Sequence, residues 1–273
     1  MAETVLRPVQ PGDLPALTAL WARIFGDGEE LIAEFLRLLP EMGGGVAAVC
    51  GGRLAGAAYA VTALALSEPG KEPRRCGYIY AVAVAEEYRR LGLGRALTRA
   101  AADLARKQGA EILCTLPAEN SLYPWYEEVL GTQCALWRTF EPIRCQSGPP
   151  VRAIGAEAYG KYREALLAGR PHLCLAPPAL AFQRELCRAY GGGFFLVQNA
   201  IAAAYLDGEK AVIRELLCPE GETPEAAAAA VGAALGVLEA IVCRRAGKTD
   251  GEPYIAALPG GLPEGCVWNL SFD

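Results

Sequence analysis

The spacing of apolar residues predicts alternating strands and helices over the first half of the chain. Between Leu14 and Ile24 the apolar positions follow the i, i+3, i+4 spacing of a helix with one buried face. Two apolar runs, 46–50 and 54–61, flank Gly51-Gly52-Arg53 and predict a β-hairpin. With the segments that follow, residues 1–145 are expected to fold in the order βααβββαβαβ, an α/β arrangement with a mixed sheet flanked by helices.

The second half repeats this pattern after the turn-rich segment 146–150, which is expected to be a linker. Helical spacing ends at Gly191-Gly-Gly193 as it does at Gly43-Gly-Gly45, and residues 194–205 again predict a hairpin. We therefore expect two domains, 1–145 and 151–273, that are tandem copies of one fold.

A Gly- and Arg-rich turn, Arg89-Arg90-Leu91-Gly92-Leu93-Gly94-Arg95, joins the predicted strand 76–84 to the predicted helix 95–108. Backbone N–H groups at a helix start are unpaired and carry partial positive charge, so the turn suits a phosphate or pyrophosphate. The glycines let the backbone approach the anion, and the arginines add charge. A Rossmann dinucleotide site is not expected, because Leu97 stands where the third Gly of that motif belongs.

Residues 89–94 resemble the acyl-CoA-binding motif of the GNAT superfamily of N-acetyltransferases. The resemblance implies a GNAT fold over residues 1–145 and acetyl-CoA as co-substrate. It assigns the pantetheine to the backbone of Val82, Ala83 and Val84, and the pyrophosphate to the turn residues Arg89, Arg90, Leu91, Gly92, Leu93, Gly94 and Arg95. The second copy lacks this turn, since Pro219-Glu-Gly-Glu-Thr-Pro224 occupies its place.

The implied reaction is direct attack of a small-molecule or peptidyl amine on the acetyl thioester. Tyr126 resembles the family tyrosine that protonates the leaving thiolate, with Tyr123 as the alternative and aromatic packing as the structural explanation of either. An acyl-CoA sensor or interaction protein of the same fold, without turnover, is the alternative function.

No general base is identified. Glu86, Glu87 and Glu119 lie near the turn or the tyrosine segment, and the C-terminal carboxylate at Asp273 is a further option. His172, the single histidine, is interpreted as a loop residue. Deprotonation through water, without a dedicated base, is the leading interpretation.

Composition narrows the class of protein. A formal net charge of −5 argues against a nucleic-acid partner, and the chain contains no apolar run long enough to span a bilayer. The N-terminus lacks the features of a signal peptide, so a cytoplasmic protein is expected. The ten cysteines show no Cys-x-x-Cys pair and are expected to be reduced thiols without a metal. The resemblance favours a homodimer but leaves the oligomeric state and the amine open.

Overall fold

A computed structural model describes residues 4–273, which form two compact units. The first unit contains residues 4–66, Glu72–Ala135 and Tyr254–Glu264. The second unit contains Ser67–Lys71, Leu136–Pro253 and Gly265–Asp273. Each unit therefore includes a segment from a distant part of the chain.

Thirteen strands and seven α-helices occur in the described residues. They are β1 (Thr4–Pro8), α1 (Leu14–Phe25), α2 (Glu29–Met42), β2 (Gly43–Cys50), β3 (Arg53–Ser67), β4 (Arg74–Val84), α3 (Leu93–Lys107), β5 (Ile112–Thr115), α4 (Tyr123–Leu130), β6 (Gln133–Arg144), β7 (Val151–Ala153), α5 (Ala156–Leu167), β8 (His172–Leu175), α6 (Pro177–Ala189), β9 (Gly193–Val197), β10 (Ala200–Asp207), β11 (Lys210–Leu217), α7 (Pro224–Ala234), β12 (Glu239–Ala246) and β13 (Glu252–Ala257).

The first unit is a mixed sheet with helices on both faces. Its strand order is β1-β2-β3-β4-β5-β13, with β4 and β5 parallel and the other neighbours antiparallel. Alternation along β3 directs Ala58 and Ala60 toward the apolar face of α3, whereas Tyr59 packs against Trp21 and Phe35 of α1 and α2. The period of two along the strand thus builds a separate apolar layer on each face.

The second unit has a closely similar topology. Its strand order is β6-β12-β11-β10-β9-β7, and β11 and β12 are its parallel pair. Helix α7 covers one face of this sheet through Ala-rich packing against β10, β11 and β12. Apolar side chains of helices α5 and α6 pack with those of β9 and β10 to form a second hydrophobic core.

The observed elements confirm the α/β order βααβββαβαβ and both predicted hairpins. Helix α7 begins at Pro224, and Thr223 is its N-cap residue. The short strand β7, the strand β8 and the strand β13 were not anticipated, because each is brief and depends on distant pairing partners. The division into domains 1–145 and 151–273 stays a prediction. Most of β6, which lies in the first predicted domain, belongs to the second compact unit, and most of β13, which lies in the second predicted domain, belongs to the first compact unit.

The ten cysteines are all free thiols. Among the helices of residues 4–273, none has the length and hydropathy that crossing a bilayer requires.

A buried polar network lies inside the second unit. The Arg163 guanidinium donates from Nε to Glu215 Oε2 at 2.9 Å, and the Tyr159 hydroxyl donates to the same oxygen at 2.9 Å. The Nη1 atom of Arg163 donates to the carbonyl of Leu173 at 2.8 Å. Arg163 is 1% exposed, so these hydrogen bonds offset the free-energy cost of removing its charge from water. They also hold α5 against β8 and β11.

The Asp273 carboxylate is also held inside the second unit. Oδ2 lies 2.8 Å from Arg138 Nη1 and 2.9 Å from Arg214 Nη2, and the Ser271 hydroxyl donates to Oδ1 at 2.7 Å. These neighbours hold the pKa of Asp273 below its usual range despite the opposing effect of burial. The neighbouring Phe272 N–H donates to Gln183 Oε1 at 2.9 Å, so this segment is anchored to α6.

We expect the substitution Asp273→Asn to lower the free energy of unfolding by about 1.5–3 kcal/mol at pH 7, the usual contribution of hydrogen bonds to charged groups. The folded pKa of Asp273 is depressed, so its contribution is present above the unfolded value of about 3.9 and is lost as the pH falls through the folded value. Urea unfolding of both proteins between pH 7 and about pH 3 measures this. A difference that stays constant or grows toward low pH would contradict the assignment.

Candidate active site

The two parallel strands of the first unit separate at a defined point. Strands β4 and β5 pair from Cys76–Ile112 to Ile79–Thr115, where β5 ends. Strand β4 continues to Val84, so its backbone from Tyr80 onward extends beyond the end of β5. Such an edge offers N–H and C=O groups that an extended ligand can pair with in the manner of a strand.

A β-bulge lies on β4 just after this separation. Ala57 pairs with Ala83 and Tyr59 pairs with Tyr80, so two residues of β4 stand opposite one residue of β3. Ala81 has φ +46°, which an L-residue adopts at a cost of about 1–2 kcal/mol. The bulge changes the direction in which the last residues of β4 present their backbone groups.

The predicted anion-binding turn is confirmed as a turn between β4 and α3. Arg90 has φ +65° and Gly92 has φ +78°, and Gly92 is the N-cap of α3. The first helical bond runs from Ala96 N–H to Gly92 C=O at 3.1 Å. The N–H groups of the three residues between them therefore have no partner within the helix and carry the partial positive charge of a helix start.

The side chains of this turn occupy different environments. Leu93 is buried in the core, whereas Arg89, Arg90 and Leu91 are exposed. The Arg89 Nε donates to the Val84 carbonyl at 3.4 Å, which ties the turn to the end of β4. Arg95 Nη1 lies 2.9 Å from Glu128 Oε1 of α4, and this pairing lowers the pKa of Glu128.

Gly94 stands where β4, α3 and α4 approach one another. A Cβ built on Gly94 would lie 3.9 Å from Trp125 and 4.0 Å from Val84, at ordinary van der Waals distance. The missing side chain is therefore not required by packing. It leaves open space in front of the helix N–H groups, as close approach of a phosphate requires.

Tyr126 is positioned at the point where the strands separate. It is 8% exposed on α4, and its hydroxyl interacts with the side chain of Thr115, the last residue of β5. The Thr115 hydroxyl donates to the Ile79 carbonyl at 3.0 Å, which fixes its oxygen at the end of β5. Burial raises the pKa of Tyr126, and the Thr115 hydrogen bond opposes this, so the phenol stays protonated at neutral pH.

Tyr123, the alternative to Tyr126, and three of the candidate bases are more exposed than Tyr126. Tyr123 is half-buried in the first turn of α4. Glu86 and Glu87 are exposed on a 3₁₀ turn, and Glu119 is exposed and accepts the Ser121 hydroxyl at 2.6 Å.

Two further base candidates lie in the second unit. His172 is a buried residue of β8 and not of a loop, which corrects the expectation from its flanking residues. The Asp273 side chain is paired with the two arginines described above.

Three contributors to the site were not identified from the sequence. They are Ala81, through the bulge; Thr115, as the partner of Tyr126; and Trp125, through its packing near Gly94. A bulge formed at an alanine leaves no local signal, and the other two roles depend on contacts between elements. The segment Ile112–Thr115 alone is an ordinary apolar strand.

The two glycines of the turn are expected to differ in their tolerance of alanine. Gly92→Ala should lower the free energy of unfolding by about 1–2 kcal/mol, because the backbone there is left-handed although the space around it is open. Gly94→Ala should leave it unchanged or raise it by up to about 1 kcal/mol, since the position is helical and free of close contacts. Urea unfolding in the absence of coenzyme compares them, and equal destabilisation would contradict this geometry.

A protein-family model and several solved structures resemble this chain. Residues 5–127 match the family model described as an acetyltransferase (GNAT) domain. In sequence, no curated protein matches the chain.

Solved structures resemble almost the whole chain. A GCN5-related N-acetyltransferase from Kribbella flavida is 18% identical with a TM-score of 0.68, covering 94% of this chain and 71% of that one. A protein of unknown function from Enterococcus faecalis, titled a probable N-acyltransferase, is 16% identical with a TM-score of 0.71, covering 94% and 72%. A protein from Pyrococcus horikoshii described as a putative acetyltransferase is 14% identical with a TM-score of 0.60, covering 98% of this chain and 93% of that one. The chain therefore has an α/β GNAT fold with a mixed sheet flanked by helices.

Proposed function

We propose that this protein is an N-acetyltransferase that transfers an acetyl group from acetyl-CoA to a small-molecule or peptidyl amine. The observation that carries the proposal is the separation of β4 from β5, with the helix start at Gly92 on one side and the Tyr126 hydroxyl at its apex. The match of residues 5–127 to the GNAT domain supports the same assignment.

The residues present fit the proposed co-substrate in three respects. The extended backbone of Val82, Ala83 and Val84 provides strand-like partners for the amide groups of pantetheine. The unpaired N–H groups at the start of α3 suit a pyrophosphate, and the room in front of Gly94 admits it. Exposed Arg89 and Arg90 supply additional positive charge beside the turn.

Tyr126 is the proposed proton donor to the leaving sulfur. The amine nitrogen forms a bond to the thioester carbonyl carbon while the carbon–sulfur bond breaks. Tyr126 donates its proton to the departing thiolate and regains one, through water, from the nitrogen that becomes the amide. The Thr115 side chain contacts the phenol at the end of β5, where β4 and β5 separate.

Loss of the amine proton is the second requirement. A primary amine with a pKa near 10.4 is protonated at pH 7, and removing that proton costs about 4–5 kcal/mol. Glu86, Glu87 and Glu119 are all exposed to solvent, and none is held against the site by a neighbouring element. We therefore retain deprotonation through water.

The second unit is proposed to be a degenerate copy of the first. The strand order, the single parallel pair and the helix following the fourth strand correspond between the units. Between β11 and α7, however, Pro219 and Pro224 remove N–H donors, and Glu220 and Glu222 would repel a pyrophosphate. This unit is therefore not expected to bind coenzyme.

Coenzyme binding is tested by calorimetric titration with acetyl-CoA. Gly94→Glu places a carboxylate at the helix start and should weaken binding at least 100-fold without unfolding the protein. Gly12→Glu is the matched control, because Gly12 also has open space and is distant from the turn in sequence. Absence of binding by the folded natural protein, or equal binding by Gly94→Glu, would contradict the proposed site.

Turnover is tested by thiol release from acetyl-CoA with spermidine, an aminoglycoside, lysine and an N-terminal dipeptide as acceptors. Tyr126→Phe should lower kcat by about 10²–10⁴-fold with unchanged acetyl-CoA binding. Tyr123→Phe, on the same helix, should have little effect on kcat. Indifference of turnover to Tyr126→Phe would exclude this residue as the acid, and binding without turnover of any acceptor would favour the acyl-CoA sensor.

A further inference from the structure

Three side chains of the second unit converge on one point. Glu164 Oε2 lies 3.0 Å from His172 Nε2 and 3.3 Å from Cys174 Sγ, and the latter two atoms are 3.4 Å apart. Glu164 belongs to α5, and His172 and Cys174 are alternate residues of β8, so both point to the same side of the strand. We propose that this cluster binds one Zn²⁺ ion.

The separations of the three donors suit zinc. A tetrahedral zinc ion with bonds of about 2.0–2.3 Å holds neighbouring donor atoms about 3.3–3.6 Å apart. The observed triangle is smaller by a few tenths of an ångström at most, so small side-chain rotations accommodate the ion. A metal that replaces the protons now shared among these atoms needs no rearrangement of the backbone.

The orientation of the imidazole ring supports a metal ligand. His172 Nδ1 lies 2.7 Å from the carbonyl of Arg170, and a carbonyl only accepts hydrogen bonds, so Nδ1 carries a proton. In the neutral ring, Nε2 then presents its lone pair toward Glu164 and Cys174. Ligating histidines are held in this way, with the other ring nitrogen donating to a carbonyl or carboxylate.

The buried Arg163 holds the cluster in place from behind. Its Nη1 atom donates to the Leu173 carbonyl, the residue between the two strand ligands, and lies 3.4 Å from Glu164 Oε1. The Leu173 N–H donates to the Val267 carbonyl at 3.0 Å. The strand backbone and the second oxygen of Glu164 are therefore fixed, which leaves Oε2 directed at the shared point.

The types of donor atom favour zinc over other cations, and solvent access to the cluster allows water to be the fourth ligand. Thiolate, imidazole and carboxylate are together typical of zinc, whereas Mg²⁺ and Ca²⁺ require oxygen ligands. The thiolate and carboxylate neutralise the charge of the ion. His172 is 4% exposed, but the Glu164 side chain is 48% exposed, so solvent can reach the cluster and supply a fourth ligand.

The cluster lies where the second unit departs from the first. Helices α1 and α2 are joined by three residues, Gly26 to Gly28, whereas α5 and α6 are joined by nine, Ala168 to Ala176, which include β8. The insertion carries two of the three ligands. Sequence spacing alone did not predict a site, because a His-x-Cys pair with a glutamate eight residues earlier is not a zinc-finger pattern.

The proposal is tested on the full chain after chelation and reduction with a phosphine. Titration with ZnCl₂ should give one tightly bound equivalent that MgCl₂ does not displace. CoCl₂ should produce a thiolate-to-cobalt charge-transfer band and the visible absorption of a four-coordinate ion. Cys174→Ser should abolish the charge-transfer band and weaken zinc binding at least tenfold.

Matched variants separate this site from the other thiols. Cys218→Ser alters another half-buried free cysteine of the second unit and should leave both signals unchanged. Glu164→Gln, at a half-exposed position that does not threaten folding, should weaken zinc binding at least tenfold, whereas Glu157→Gln on the same helix should not. Acetyl-CoA binding should be unaffected by Cys174→Ser. Failure to bind one equivalent, or equal losses in Cys174→Ser and Cys218→Ser, would overturn the proposal.

Discussion

The early end of β5 is the constraint on which the candidate site depends. Pairing between β5 and β4 stops at Thr115. The proposed site uses the β4 backbone beyond this point and the Tyr126 side chain beside it. If β5 continued beside β4, its own N–H and C=O groups would pair with the strand edge that we assign to pantetheine. Tyr126 would also lose its position, because its hydroxyl interacts with the side chain of Thr115, the last residue of the shorter strand.

A strand of four residues is too short to define this point without support from both sides. Strand β4 pairs with one edge of β5, and β13 pairs with the other, where Ala256 lies opposite Thr115 and Ala257 opposite Cys114. The segment that secures the apex of the site therefore comes from near the end of the chain. The second unit has the corresponding arrangement, in which β6 pairs with β12. An exchange of the last strand in this way makes each unit dependent on the other half of the sequence.

The sequence predicted the parts of the site that are encoded within a few consecutive residues. The turn at Gly92 and Gly94, the helix that it begins and the helix that carries Tyr126 all have local signals, namely glycine, basic residues and apolar periodicity. The bulge at Ala81 and the Thr115–Tyr126 bond have none, because they arise from pairing registers and packing between elements. The strand β13 was missed for the same reason, since its partner is far away in the sequence.

In the two proposals made here, the units use one topology for different chemistry. In the first, the connection after the fourth strand is rich in glycine and arginine, and the link between the first two helices is a short turn. In the second, the former connection contains two prolines and two glutamates, and the latter is extended by β8. In the proposed function the second unit holds no coenzyme, so its surface is not constrained to suit one. The buried pair of Arg163 and Glu215 then has a function in the proposed zinc site. Arg163 holds the backbone of β8, the strand that carries His172 and Cys174.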